Sequence, residues 1–124
     1  MEFTSCSVAG LTVAAPVGRL DHAGAEEFQR FLAPLLEACV DGRGRIVLDF
    51  SGVDYVSSLG LRVLMLAAKQ VKAQRGEIVI AGMQPVVREI FEISRFNFLF
   101  GSFPTLREAI AKLSPASAAA LDGA

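Results

Sequence analysis

Two adjacent serines, Ser57 and Ser58, stand at the junction between an apolar strand and a helical pattern. They sit in Asp49-Phe50-Ser51-Gly52-Val53-Asp54-Tyr55-Val56-Ser57-Ser58-Leu59-Gly60-Leu61, which follows the apolar stretch Ile46 to Leu48. A helix start exposes backbone N–H groups and the positive end of the helix dipole, so a hydroxyl there can cap the helix or carry a phosphate. A cap at an exposed helix end is also accessible to a kinase, so the two uses are compatible. A phosphoserine would add about −1.5 to −2 charges beside Asp54, enough to repel an acidic or close-fitting partner surface.

Other chemistries find less support. A Ser-His-Asp triad could be drawn from Ser58, His22 and Asp21 or Asp49, but no G-x-S-x-G elbow holds the serine. Asp49, at the end of an apolar strand, has the position of a phosphoacceptor aspartate, yet the acidic pair and later-strand lysine that would hold metal and phosphate are missing. Gly42-Arg43-Gly44 precedes a strand instead of opening a helix, and there is no G-x-x-x-x-G-K-[ST] or G-x-G-x-x-G. Cys6 and Cys39 lack C-x-x-C spacing and His22 is the only histidine, so they read as reduced, buried thiols, with no metal site and no cofactor expected. None of these patterns supports an enzymatic reading.

Composition narrows the partners. Twelve Lys and Arg against 13 Asp and Glu give a formal net charge of −1, no excess of cations to neutralise a nucleic-acid backbone. Hydrophobic residues make up 52% of the 124, but apolar runs such as Val63 to Ala68 are far below the roughly 20 residues of a membrane span. The N-terminal Met1-Glu2-Phe3-Thr4-Ser5-Cys6 lacks the basic and apolar regions of a secretory signal, which points to a cytoplasmic protein without direct membrane insertion.

The elements that must position the serines are legible as patterns. Residues 3–8 and 11–17 read as a hairpin turning at Ala9-Gly10. From Asp21, the recurrence of Ala25, Phe28, Phe31, Leu32, Leu35 and Leu36 predicts an amphipathic helix ending before Asp41-Gly42. Arg45 to Phe50 reads as a central strand covered on both faces, followed by a turn at Ser51-Gly52. Leu61, Leu64, Met65, Ala68 and Val71 form the core stripe of a second helix closed by Gly76, whose outer face carries Arg62, Lys69, Lys72 and Arg75.

Glu77 to Ala81 is another buried strand. Pro85 opens a third helix with Val86, Ile90, Phe91 and Ile93 on its apolar face. Phe96 to Phe100 reads as a short strand, and Thr105-Leu106-Arg107-Glu108 has capping-box spacing for a last helix to Leu113. The order ββαβαβα(β)α is an α/β fold, a mixed sheet with helices packed on it, over residues 1–113, with 114–124 as a flexible C-terminal tail.

Four stretches, in order, resemble the STAS domain, the fold of bacterial anti-sigma factor antagonists. They are Leu48 to Leu61, Gly18-Arg19-Leu20-Asp21, Gly82 to Ile93, and Phe103 to Ile110. In that family the signature reads D-S-[ST]-G, and its first serine is phosphorylated by a partner that is both anti-sigma factor and serine kinase. Counting back from Gly60 puts that role on Ser58, with Ser57 as the alternative. Ser57 stands where the family has Asp and Leu59 where it has Ser or Thr, which alters the charge beside the acceptor.

The resemblance implies a partner switch in which the unmodified protein binds the anti-sigma factor and the phosphorylated protein lets go. ATP would belong to the partner. The expected binding face comprises Asp21, Asp49, Asp54, Ser57, Ser58, Leu59 and Gly60. The alternative it implies is a non-switching regulatory subunit of a lipid-type ABC transporter.

Overall fold

The computed structural model describes residues 1–8 and 10–113. Its elements are β1 (Glu2–Val8), β2 (Leu11–Leu20), α1 (His22–Ala38), β3 (Ile46–Asp49), β4 (Val53–Val56), α2 (Ser58–Ala73), β5 (Ile78–Ala81), α3 (Pro85–Ile93), a 3₁₀ turn (Phe96–Phe98), β6 (Gly101–Phe103) and α4 (Leu106–Leu113). The segment expected as a tail and Ala9 of the expected turn lie outside the described residues.

The hairpin pairs in antiparallel register from Glu2↔Val17 to Val8↔Leu11. Every other pairing between these strands is parallel, giving the sheet order β1-β2-β3-β5-β6, with β4 joined to the far end of β2. This is the expected mixed sheet. Period-two alternation of the central strands divides the core. Ile46, Leu48, Ile78 and Ile80 face Phe28, Leu32, Leu64, Val71 and Phe91 of α1, α2 and α3. Val47, Val79 and Ala81 face Ala109, Ile110 and Leu113 of α4 on the other side. Continuous apolar strands are thus covered on both faces.

Four sequence readings need correction. Val53–Val56, which lies between the expected turn and the second helix, is a further strand; it pairs with β2 across a register shift at Gly18/Arg19, and that irregularity breaks the alternation by which a strand is recognised. Phe96 to Phe100 is not a strand. Arg95 takes a left-handed conformation (φ 60°), and Phe96 and Phe100 pack on Phe91 at centroid distances of 5.7 and 6.5 Å, so the strand begins only at Gly101.

The third correction concerns α3, where Val87 and Phe91 are buried while Val86 and Ile93 are exposed. A helix apolar on several sides has a period but no unique phase. Finally, Cys6 is exposed on β1; only Cys39 is buried, where desolvation pushes its thiol pKa up.

Candidate functional site

Strands β2 and β4 run in parallel and end side by side, with Leu20 opposite Val56. Each delivers a helix. Asp21 caps α1 by accepting a hydrogen bond from the Gly24 amide at 3.1 Å, and Ser57 caps α2 by accepting one from the Gly60 amide at 3.2 Å. The Ser57 amide donates to the Leu20 carbonyl at 2.9 Å, joining the two caps. The result is a pair of neighbouring helix N-termini on one end of the sheet.

The roles of the serines separate here. Ser57 has the extended backbone of an N-cap (φ −83°, ψ 172°), is half-buried, and has its hydroxyl engaged. Ser58 is the first residue of α2 and is exposed. The amides of Ser58 and Leu59 belong to the first helical turn, which has no intrahelical acceptors for them. An anion on Ser58 would therefore meet the positive end of the α2 dipole. Replacing Ser57 with alanine removes the cap and is expected to cost about 1 kcal/mol. Chemical denaturation measures this, and a loss below about 0.3 kcal/mol would show that the cap contributes little.

Gly60 is required by packing. A Cβ there would lie 2.8 Å from both the Leu20 carbonyl oxygen and its Cγ, closer than real Cβ atoms approach, so the first turn of α2 can sit against the end of β2 only with glycine at this position. Leu59, 38% exposed, turns outward from that contact. A groove between the first turns of α1 and α2 opens beside it, lined by His22, Glu26, Leu59, Arg62 and Leu66.

Two residues not singled out by sequence complete this surface. Arg19 and Tyr55 are cross-strand partners, and the guanidinium lies 4.4 Å over the ring centroid. Arg19 Nε also approaches Asp21 Oδ2 at 3.9 Å, an exposed ion pair of small energetic value. The available signal was the alternation Arg19-Leu20-Asp21 at a strand end. The pairing itself could not be read without recognising β4.

The structure gathers Asp21, Ser57, Ser58, Leu59 and Gly60, with Asp54 exposed on the adjoining strand. Asp49 stands elsewhere. Continuing the β2–β3 register puts it beside Ala15, six residues before Asp21 on β2; at ~3.3 Å per residue that is on the order of 20 Å. There its Oδ1 accepts from the Ser51 amide at 3.1 Å and holds the turn between β3 and β4. Gln84 at the start of α3 braces the same turn, its Nε2 donating to the Ser51 carbonyl at 2.9 Å.

The STAS domain family model matches residues 7–109. The chain belongs to the STAS domain family. Over 100 residues this STAS domain is 40% identical to BtrV of Bordetella bronchiseptica, named as a candidate anti-sigma factor antagonist, covering 81% of this chain and 84% of that protein. Its fold is shared by an anti-sigma factor antagonist from Mycobacterium paratuberculosis, with a TM-score of 0.80, 19% identity, and coverage of 90% of this chain and 92% of that one.

It is shared as well by the Bacillus protein SpoIIAA, an anti-sigma factor antagonist, in its unphosphorylated form, with a TM-score of 0.74, 21% identity, and coverage of 92% and 97%. SpoIIAA has also been solved phosphorylated. No helix among the described residues of this STAS domain is long and apolar enough to cross a membrane.

Proposed function

We propose that the protein is an anti-sigma factor antagonist whose binding to an anti-sigma factor with serine kinase activity is switched off by phosphorylation of Ser58. The observation that carries this reading is the division of labour at the start of α2. Ser57 spends its hydroxyl on the cap, which leaves Ser58 exposed on the first turn of a helix that Gly60 seats against β2. The kinship to BtrV and the existence of a phosphorylated SpoIIAA support the same assignment.

The physics of the switch follows from where the charge would be added. A phosphate on Ser58 would sit at the positive end of α2, which stabilises an anion, so the modification would leave the antagonist folded. Its effect would fall on the interface. A close-fitting partner would have to accommodate about two negative charges and three added oxygens in a space shaped for a hydroxyl. Asp21, Asp54, Leu59 and Gly60 would form the rest of the binding face with Ser57. Asp49 would act on it only indirectly, through the β3–β4 turn.

Site-mapped mass spectrometry of the protein incubated with the cognate anti-sigma factor and ATP tests the assignment. Phosphate on Ser58 is expected, with none on Ser57. Absence of phosphate from both serines would exclude the switch. Co-purification of a transporter ATPase in place of an anti-sigma factor would replace it with a constitutive transporter subunit.

A further inference from the structure

The five-strand path of the sheet has two ends, and they are not equally protected. One is closed by β6, only three residues long, Gly101–Phe103. The other is β1, seven residues long, hydrogen-bonded to β2 along one side and, among the described residues, to no strand along the other. Natural proteins blunt such an edge with lysine, proline, a bulge or shortness. Among Glu2-Phe3-Thr4-Ser5-Cys6-Ser7-Val8 there is no lysine, arginine or proline, the pairing with β2 is unbroken, and Glu2 is the single charge.

The direction of each β1 amide follows from β2. The Thr12 amide donates to the Arg45 carbonyl and the Gly18 amide to the Gly52 carbonyl, so even-numbered residues of β2 point their main-chain groups toward β3 and β4. Pro16, which has no N–H, falls in that same set. Odd-numbered residues therefore face β1 and bond to Glu2, Thr4, Cys6 and Val8, their register partners. It follows that Phe3, Ser5 and Ser7 direct their N–H and C=O groups out of the open edge.

These three residues are spaced symmetrically about Ser5, so the edge is complementary to itself. We propose that β1 pairs in antiparallel register with β1 of a second copy of this chain, across a two-fold axis at Ser5. Ser5 then faces Ser5 of the second copy and Phe3 faces Ser7, forming about six main-chain hydrogen bonds. Thr4 lies opposite Cys6, and Glu2 lies opposite Val8, so like charges do not meet. Phe3 is already held on its own α1, stacked at 4.8 Å on Phe31, so the strand needs no rearrangement to present its edge.

The paired edge is on the flank of β2 away from β4 and α2. A dimer so formed would carry two separate Ser58 sites. This inference is independent of the function proposed for Ser58.

The expected complex is weak, because seven residues per strand bury less than a standard interface. Sedimentation equilibrium of the whole chain at ~100 μM is expected to report a mass approaching twice that of the monomer. Ser5→Pro removes an N–H that β2 does not use, so it should abolish dimerisation and leave far-UV circular dichroism unchanged. As a check that does not depend on tolerating proline, the double variant Ser5→Cys with Cys6→Ser should form a disulfide-linked dimer under mild oxidation. Its two thiols would be carried on an H-bonded pair with Cα atoms about 5.5 Å apart, within disulfide range. A monomeric wild type at that concentration, a folded Ser5→Pro variant that still dimerises, or a double variant that fails to cross-link would overturn the proposal.

Discussion

Ser58→Asp is expected to weaken binding to the cognate anti-sigma factor by on the order of a hundredfold, about 2.7 kcal/mol. Ser58→Ala is expected to bind within a few-fold of wild type. The asymmetry arises because removing an exposed hydroxyl leaves no buried donor stranded, whereas a carboxylate brings charge and volume into a fitted contact. Ser58 is exposed and makes no cap bond, so neither change should lower stability; an acid at the first position of α2 should even stabilise that helix by a few tenths of a kcal/mol. Isothermal titration calorimetry reads the affinities and thermal melts read the stability. Equal affinity of the two variants would count against the switch, and so would a loss of binding that merely tracks a lower melting temperature.

The second large effect lies in the core. Phe50→Ala is expected to destabilise the protein by about 3–5 kcal/mol. Phe50 is fully buried at the end of β3, with its ring 6.3 Å from Phe28 of α1 and 6.4 Å from Phe91 of α3, both in edge-on geometry. Its amide donates to the Ala81 carbonyl and its carbonyl accepts from the Val53 amide, so the same residue joins β5 to the turn that launches β4. The cavity left by alanine would open between α1 and α3, and only partial collapse is available because both are packed on the sheet. Urea denaturation measures the loss. A value below about 1.5 kcal/mol would mean that the aromatic chain is not as closely packed as its geometry indicates.

How much of this was legible beforehand depends on the kind of information each feature needs. The helices α1 and α2 and the strands β3 and β5 follow from periodicity, a local property, and they fall where the pattern puts them within a few residues. The last helix is similarly marked by its cap, with the Glu108 amide donating to Thr105 Oγ1 at 3.2 Å. The strand β4 carries no readable pattern because it is bulged: Asp54 is an extra residue between the partners of Gly18 and Arg19, and it removes the alternation that would identify a strand. In α3, apolar residues around much of the helix left the buried side to be chosen by the sheet.

The site divides along the same line. Residue order alone pointed to Ser57 and Ser58 at the helix start, and the resemblance to the STAS signature added Gly60 and the choice of Ser58. They could not say which serine caps, since either hydroxyl stands close enough to the helix start; the backbone geometry assigns that bond to Ser57. Asp21 and Asp49 look equivalent as strand-end acids in the sequence. Only the tertiary register separates them. The long β2 extends past the end of β3 to pair with β4, so Asp21 is carried to the serines while Asp49 stays at the turn below. Local signals specify which groups the chain possesses, and the offset between parallel strands, a long-range property, decides which of them meet.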